Sequence, residues 1–595
     1  VSRSLDELPF ARVWVVDFEF IPHPGEPYDV VCLCALELKS GTSVRLSRDK
    51  MGAAAPYEID ENSLFIAFAA HAELGCHCAL DWPLPVNILD LHAEFRLLMN
   101  GRINPAKPLE GVAGSLLAAL QFYGLPGIGA ITKDAMRGRI LQGPPFSVGE
   151  QIGILDYCQS DIDALAGLLP HMLPEIRLDH ALLRGRFVRS STGMQHRGIP
   201  IDREIWGQLS DEAAWEQLRA AAIPAVDADF HVYEDGSFRL QLFENYLDRA
   251  EIPWPRLPSG QLDLKRSTFR EMAKAHPQVA PVYELRHHVS DLRRLKLAVG
   301  RDGRNRTVLW PFSSKTSRSQ PKASEYIFGP SCWLRSLIKP EHDQAVAYVD
   351  LSSAEFGIAA ALSHDERMLG VYRSGDPYLG CAKIFGMAPP EATKTTHAEL
   401  RDVFKVVLLA CQYGIQAEGL ASRLGISTIA AAELLAQHCW HFPQYWSWSN
   451  GWFERTCTTG LMVSTFGWVM RLERPVKERT IRNWPIQTNG ADILRIACVL
   501  ADRIGVRTLA PVHDAVLVES AVDTIEQETV RMRECLSRAS RIVLDPDGAL
   551  GGFELRTDAK IVRYPERYVD PRGERMWGVV TGLLRDLKVK GVLAA

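Results

Sequence analysis

Three stretches far apart in this chain each present side chains that a fold would have to gather into one place. Asp350 ends an apolar run, AVAYVD, and Asp514 sits inside another, LAPVHDAVLVES. Between them, RDVFKVVLLACQYG carries Arg401, Lys405, Leu409 and Tyr413-Gly414 at every fourth residue. A spacing of four puts those side chains along one face of a helix. Such a helix offers two cations to phosphates and a ring to a base. Each aspartate reads as a carboxylate displayed at the end or turn of a strand. Two such carboxylates together can hold a pair of divalent ions about 3.5–4 Å apart, an arrangement suited to in-line phosphoryl displacement. Singly, each piece is ordinary, since an Asp after a strand is usually a turn or cap and an Arg/Lys stripe is usually a solvated helix face. Their order and joint presence point to a nucleotidyl transferase.

The same stretches resemble the motifs of the family A DNA polymerases, the group of bacterial DNA polymerase I and many phage replicative enzymes. The first motif is DLSSAEFGIAAALS at 350–363, the second the 401–414 helix, the third VHDAVLVE at 512–519. The resemblance implies that Asp350 and Asp514 are catalytic and bind metal, with Mg²⁺ as cofactor, two ions per site, and Mn²⁺ able to substitute. It implies that Arg401 and Lys405 grip the triphosphate of a dNTP, that Tyr413 closes over the nascent base pair, and that Glu355 excludes a ribose 2′-hydroxyl. Arg318 in KTSR resembles an arginine that reads the primer terminus. Arg479, Asn483 and Gln487 in RTIRNWPIQ resemble residues lining the template and minor groove, and His513 one that touches the primer end. Three positions depart from the pattern. Leu409 stands where many members carry an aromatic residue, Leu351 replaces a usual Tyr, and Ala515 replaces an acid, which leaves two carboxylates in this site rather than three.

The front of the chain carries a second chemistry. VWVVDFEF at 13–20 is strand-like, and Asp17 and Glu19 fall on one face because strand side chains have period two. Tyr157 and Asp161 lie four apart in ILDYCQSDIDALAGLL, one turn of a helix. The combination resembles the DnaQ-like 3′→5′ exonucleases, in which the carboxylates hold two metals and the Tyr steadies the attacking water. Its middle motif is atypical. In FIAFAAHAELGCHCAL, Glu73 is taken as the third ligand, with Ala69 in the place of a usual Asn. Asp90, seventeen residues on, is taken as a supporting acid, and Asp163 as a surface residue.

At 595 residues the chain is too long for one core. The expected architecture is α/β and multidomain: an RNase H-like, DnaQ-like exonuclease domain followed by a right-hand polymerase of palm, fingers and thumb. The expected divisions are 1–185 exonuclease, 186–304 thumb and linker, 305–370 and 479–564 palm, 371–478 fingers, and 565–595 a C-terminal extension ending in a helix. Twelve scattered cysteines include no C-x-x-C pair, so structural zinc is not expected. No apolar run approaches the roughly 18–20 residues of a membrane span. The start, VSRSLDELPF, has no apolar signal core, and a cytoplasmic protein without a 5′ nuclease domain, of phage replicative type, is the expectation.

The net charge of −5 does not advertise nucleic acid, but 291–318 holds eight Lys/Arg against two Asp. That stretch, with Lys296 among its cations, is expected to neutralise duplex phosphates. Residues 51–100 hold seven acids and one Arg, which suits metal collection. The expected partners are primer-template DNA, dNTPs and a single-stranded 3′ end at the exonuclease. The competing expectation is a 3′→5′ exonuclease whose degenerate polymerase half only binds DNA.

Overall fold

In the computed structural model, residues 5–104, 107–111, 114–127, 130–292, 296–329, 331–473 and 475–589 are described. The apolar run Val13–Val16 is buried on both faces, which makes β1 (Arg12–Ile21) the central strand of a five-stranded sheet. Its neighbours are β2 (Asp29–Glu37), β3 (Ser43–Ser47), β4 (Ser63–Ala67) and β5 (Asn87–Asp90), in the order β3-β2-β1-β4-β5. β2 runs antiparallel to β1, whereas β4 and β5 run parallel to it. The helices α1 (His71–Ala79), α2 (Leu91–Met99) and α3 (Val148–Met172) accompany this sheet, α3 packing on β1 and β2. α3 starts at a capping box, in which the Ser147 side chain accepts from the Glu150 amide and Glu150 reaches back to the Ser147 amide.

Next comes α4 (Leu178–Arg197), and it decides how the two halves of the molecule meet. Its first half lies on the five-stranded sheet. Arg184 makes two hydrogen bonds of 2.6 Å to the Glu94 carboxylate of α2, both side chains being buried. A Cβ on Gly185 would sit 1.9 Å from the Ile88 carbonyl oxygen of β5, so only glycine permits this approach. Its second half lies on the other sheet, where Arg197 Nε donates to the Thr508 carbonyl at 2.8 Å. α4 therefore runs unbroken through the expected division at 185/186. It ends at Gly198, whose φ of +65° turns the chain.

The stretch 202–292 is mostly helical, with helices at Arg203–Ser210, Glu212–Asp227, Leu240–Arg249, Arg266–Ala275 and Ala280–Leu292. A four-stranded antiparallel sheet follows from β6 (Gln344–Leu351), β7 (Thr508–Val512), β8 (Ala515–Ala521) and β9 (Thr557–Arg563), in the order β7-β8-β6-β9. The helices around it include α5 (Ala354–Ser363), α6 (Pro377–Ile384), α7 (Ala398–Gln412), α8 (Glu478–Arg503) and α9 (Ile525–Leu544). α8 is buried along most of its length and packs on α4, α5 and α9. The last helix, Glu574–Val589, folds back on Glu212–Asp227 and Ala280–Leu292. Among the described residues no single helix is long and apolar enough to cross a membrane.

The glycine at 185 is expected to be irreplaceable. Gly185→Ala forces backbone against backbone and should cost about 3 kcal/mol, the upper end of overpacking. Gly167→Ala on α3, where an added Cβ meets nothing, should gain about 0.5–1 kcal/mol from helix propensity. Chemical denaturation of the two variants checks both signs, and equal stabilities would refute the close-approach argument.

Candidate active sites

Strand register brings the first candidate site together. Asp350 lies one residue from the end of β6, paired with Ala515 on β8 and with Asp558 on β9. Asp514 occupies the turn joining β7 to β8, next to His513 at φ +56°, and its carbonyl accepts from the Leu351 amide at 3.2 Å. Burial first, then the neighbouring Asp514 and Asp558 carboxylates, push the Asp350 pKa up to about 7, while the Lys405 ammonium opposes them. Asp558 is thus a third acid at this site, reached from the next strand. The reading of two carboxylates followed only the His-Asp motif and missed it, because nothing in LRTDAKIV reveals a pairing with Asp350. Arg318 Nη2 sits 3.2 Å from Asp514 Oδ1. Burial also lowers the His513 pKa, which keeps that ring neutral near pH 7.

On α5, Glu355 accepts from Gln487 Nε2 of α8 at 2.5 Å and from the Tyr413 hydroxyl at 3.2 Å. Tyr413 caps the C-terminal end of α7 and is 38% exposed. Burial, then the Glu355 carboxylate, push its hydroxyl up to about 12, so it stays a donor. Asn483 is buried on the same face of α8, and Arg479, one turn earlier, is exposed. Glu355, Tyr413 and Gln487 are therefore one hydrogen-bonded group built from three helices.

The stripe on α7 divides between two cavities. Lys405 and Leu409 line a cleft of about 1730 Å³ together with Arg318 and His513. Arg266 and Arg270 face it from the helical stretch, and Arg575 from the last helix. Arg401 instead pairs with Asp376, the N-cap of α6, and lines a second, smaller pocket. The Tyr378 ring underlies both cations, with Arg401 Cζ at 5.1 Å and Lys405 Nζ at 6.0 Å from its centroid. Tyr378 and Asp376 carry no sequence signal of their own, and only the packing of α6 on α7 brings them to the stripe.

The basic stretch 291–318 needs correction as a phosphate-binding surface. Arg304 is buried and spans Glu519 at 2.8 Å and Glu341 at 2.5 Å, and it also caps α4 through the Arg197 and Gly198 carbonyls. Arg306 pairs with Asp302, and Arg301 with Glu26 at 3.2 Å. Arg304 and Arg301 tie distant acids into the fold, and Arg306, paired locally with Asp302, donates to the distant His196 and Gly25 carbonyls. Lys296 is exposed and Arg318 reaches the cleft, while Arg293 and Arg294 lie outside the described residues.

The second candidate site lies on the five-stranded sheet. Asp17 and Glu19 of β1 and Asp161 of α3 offer ligand atoms all within 4.8 Å of one another, the only such trio among the described residues. Burial, then Glu19, Asp161 and Asp17 in turn, push the Tyr157 hydroxyl up, which places that hydroxyl in the field of all three acids. Cys158 Sγ donates to Asp17 Oδ2 at 3.3 Å. Glu73 on α1 is 4% exposed and outside the trio, and its Oε2 has no hydrogen-bond partner. Burial, then Asp17, raise its pKa well above the usual carboxylate range. Asp90 is occupied otherwise. It caps α2, accepting from the Ala69 and His92 amides at 3.0 Å, and burial pushes it up to about 6 against those donors. Asp163 is exposed and accepts from Gln159 at 2.9 Å.

Both acid groups suit a divalent cation. Like charges are packed together around an interior strand of each sheet, and burial with mutual repulsion raises the Asp350 pKa in one and that of the adjacent Glu73 in the other. A hard cation bound by oxygen ligands would relieve that repulsion.

Comparison with known proteins adds a family. The model described as DNA polymerase family A matches residues 329–550. The chain is 27% identical over 395 residues to the thermostable DNA polymerase I of Thermus thermophilus, covering 62% of this chain and 46% of that relative. It is 30% identical over 388 residues to DNA polymerase I of Chloroflexus aurantiacus, covering 60% of this chain and 40% of the relative. The chain thus spans under half the length of these curated relatives. Among solved structures, the POL domain of Pol1 from M. smegmatis, in complex with DNA primer-template and dNTP, is similar with a TM-score of 0.65. It is 19% identical, over 92% of this chain and 95% of that one, a likeness that establishes a shared α/β fold. The segment 329–550 that the family A model matches holds Asp350, the Arg401–Tyr413 stripe and Asp514.

Proposed function

We propose that this chain is a template-directed DNA polymerase that adds dNTPs to a primer 3′ end and carries its own 3′→5′ exonuclease. The observation that supports synthesis most is that Asp350 has Asp514 and Lys405 as electrostatic neighbours, beside a large cleft that Lys405, Arg318 and His513 line. In this reading the four-stranded sheet is the palm, α6 and α7 belong to the fingers, and the helical stretch 202–292 with the last helix forms the thumb.

Asp350 and Asp514, with Asp558 beside them, would hold divalent cations, Mg²⁺ being the natural choice for oxygen ligands and phosphates. Such ions, when bound, stabilise charge on the attacking and leaving oxygens. The chain's own residues do the rest. Lys405 and Arg401 neutralise the triphosphate, since phosphoryl transfer asks mainly for positioning and charge stabilisation. Arg318 and His513 lie beside Asp514, where the primer end would reach the carboxylates. Glu355, held by Tyr413 and Gln487, occupies the space next to the sugar. At the other site Asp17, Glu19 and Asp161 would hold the metals, with Glu73 behind them, and Tyr157 would orient the attacking water over a frayed single-stranded end.

Primer extension by Asp350→Ala or Asp514→Ala is expected to be lost while degradation of a single-stranded primer persists, because the two sites share no carboxylate. Extension by either variant at a near wild-type rate would sink the assignment. Glu355→Ala should raise ribonucleotide incorporation relative to deoxyribonucleotide by at least tenfold, because removing a clash helps the excluded substrate more. Competition between the two nucleotides on one template measures that ratio, and an unchanged ratio assigns the gate elsewhere. Asp17→Ala with Glu19→Ala should abolish shortening of a mismatched primer and leave synthesis intact. Glu73→Ala should match that loss and Asp90→Asn should cost less, since Asp90 is engaged in capping. The reverse order in the same assay would exchange the two roles.

A further inference from the structure

The last helix, Glu574–Val589, turns one face to the body of the chain. Trp577, Val580 and Leu584 recur at the three-and-four spacing of a single helix face. The Trp577 ring lies 6.3 Å from that of Trp333, and Val580 and Leu584 are buried. The approach is closest at the start, where a Cβ on Gly573 would sit 2.2 Å from the Trp333 amide nitrogen. Asp570 ties down the preceding turn, accepting from Arg335 Nη1 at 2.7 Å and from Arg572 Nε and Nη2 at 3.0 and 2.7 Å. These contacts seat the helix on the turn Trp333–Leu337, which leads into β6.

Its other face lines the large cleft. Arg575, Met576 and Val579 fall on that face, with Arg572 in the turn just before. Arg266 and Arg270, one turn apart and exposed, line the same cleft from the helix Arg266–Ala275. Among the described residues eight Lys and Arg line the cleft against three acids, whereas the chain as a whole carries a net −5. The positive charge is local to this wall, and a polyanion is the ligand it suits. Arg575 pairs with Asp229, and the two side chains are 52% and 65% exposed, so water and salt screen the pair and it exchanges at little cost. Arg572 is aimed by Asp570 through two of its three nitrogens.

We propose that the last helix grips the phosphate backbone of duplex DNA, through Arg572 and Arg575, an inference that rests on the polymerase reading of the cleft. Asp229 is the counter-ion that Arg575 gives up when a phosphate arrives. A guanidinium exchanges a carboxylate for a phosphate without losing its hydrogen bonds, because its planar fork fits both. The partner is the duplex rather than the incoming nucleotide. The two arginines share their wall with Arg266 and Arg270, whereas the cations assigned to the nucleotide sit on α7. Phosphate contacts of this kind set the position of a duplex and do not read its sequence. Seating the helix against Trp333 fixes that grip relative to β6, the strand that carries Asp350.

The test measures binding of a primer-template hairpin to the full chain by fluorescence anisotropy, without dNTP, over a series of potassium chloride concentrations. Each phosphate contact contributes about 0.9 to the slope of log K against log salt. Arg572→Gln/Arg575→Gln should therefore flatten that slope by roughly 2 and raise the Kd about tenfold at low salt. Arg575→Gln alone, at an exposed side chain, should flatten it by about 1, which keeps the test decisive if the double variant does not fold. Arg575→Lys keeps the charge and should keep the wild-type slope. Asp229→Asn should act in the opposite sense and tighten binding about threefold, which a helix that only braces its neighbours would not do. The KM for dNTP should stay within about twofold in every variant, because these contacts hold the duplex. An unchanged slope in both Gln variants overturns the grip, and so does an Asp229→Asn chain that binds no tighter. A wild type that binds the hairpin and extends no primer fails the polymerase reading alone. A wild type that extends primers while its variants bind as it does fails the grip alone.

Discussion

The approach of α4 to β5 positions both acid groups at once. The Ile88 carbonyl leaves room for no side chain at Gly185, and the Arg184–Glu94 pair at 2.6 Å locks the helix against α2. Removing one partner of a buried pair strands the other charge, at a cost of about 3–5 kcal/mol. Twelve residues later the same helix presents Arg197 to the Thr508 carbonyl of β7, whose hairpin carries Asp514. One rigid rod thus fixes the sheet bearing Asp17 relative to the sheet bearing Asp350. In the proposed reading, a primer end passing between the two sites would find them at a constant separation.

Electrostatic strain marks both proposed sites more clearly than residue identity does. Asp350 is pushed up to about 7 and Glu73 well beyond the ordinary range, and each is raised first by burial and next by an aspartate beside it. Glu519, which lies as deep, is instead paired with Arg304 and Arg507. Acids crowded without relief are the ones suited to a cation.

The chain's positive charge is spent unevenly. Arg304, from the most basic stretch of the sequence, is a structural strut that joins Glu519, Glu341 and the end of α4. The cations that reach the large cleft come from scattered places, among them Arg266 and Arg270, Arg318, Lys405 and Arg575. Density of charge along a sequence measures neither exposure nor direction, because an arginine reaches an acid hundreds of residues away as easily as a neighbour.

Much was legible in the sequence because it depends on local periodicity. The strand with Asp17 and Glu19 on one face, the helical turn from Tyr157 to Asp161, and the stripe from Arg401 to Tyr413 follow from the repeats of strand and helix, and each is found where its pattern puts it. Family motifs over 350–363, 401–414 and 512–519 likewise carry their own spacing. Tertiary structure alone decided the rest. It brought Asp558 beside Asp350 through the pairing of β6 with β9, and it turned Arg401 onto Asp376 while Lys405 stayed in the cleft. It also buried Arg304 and set Asp90 to capping a helix. Strand register and helix packing join residues across hundreds of positions, and neither leaves a periodic trace. The sequence by itself therefore determined which side chains each element displays, and the packing determined which of them face one another.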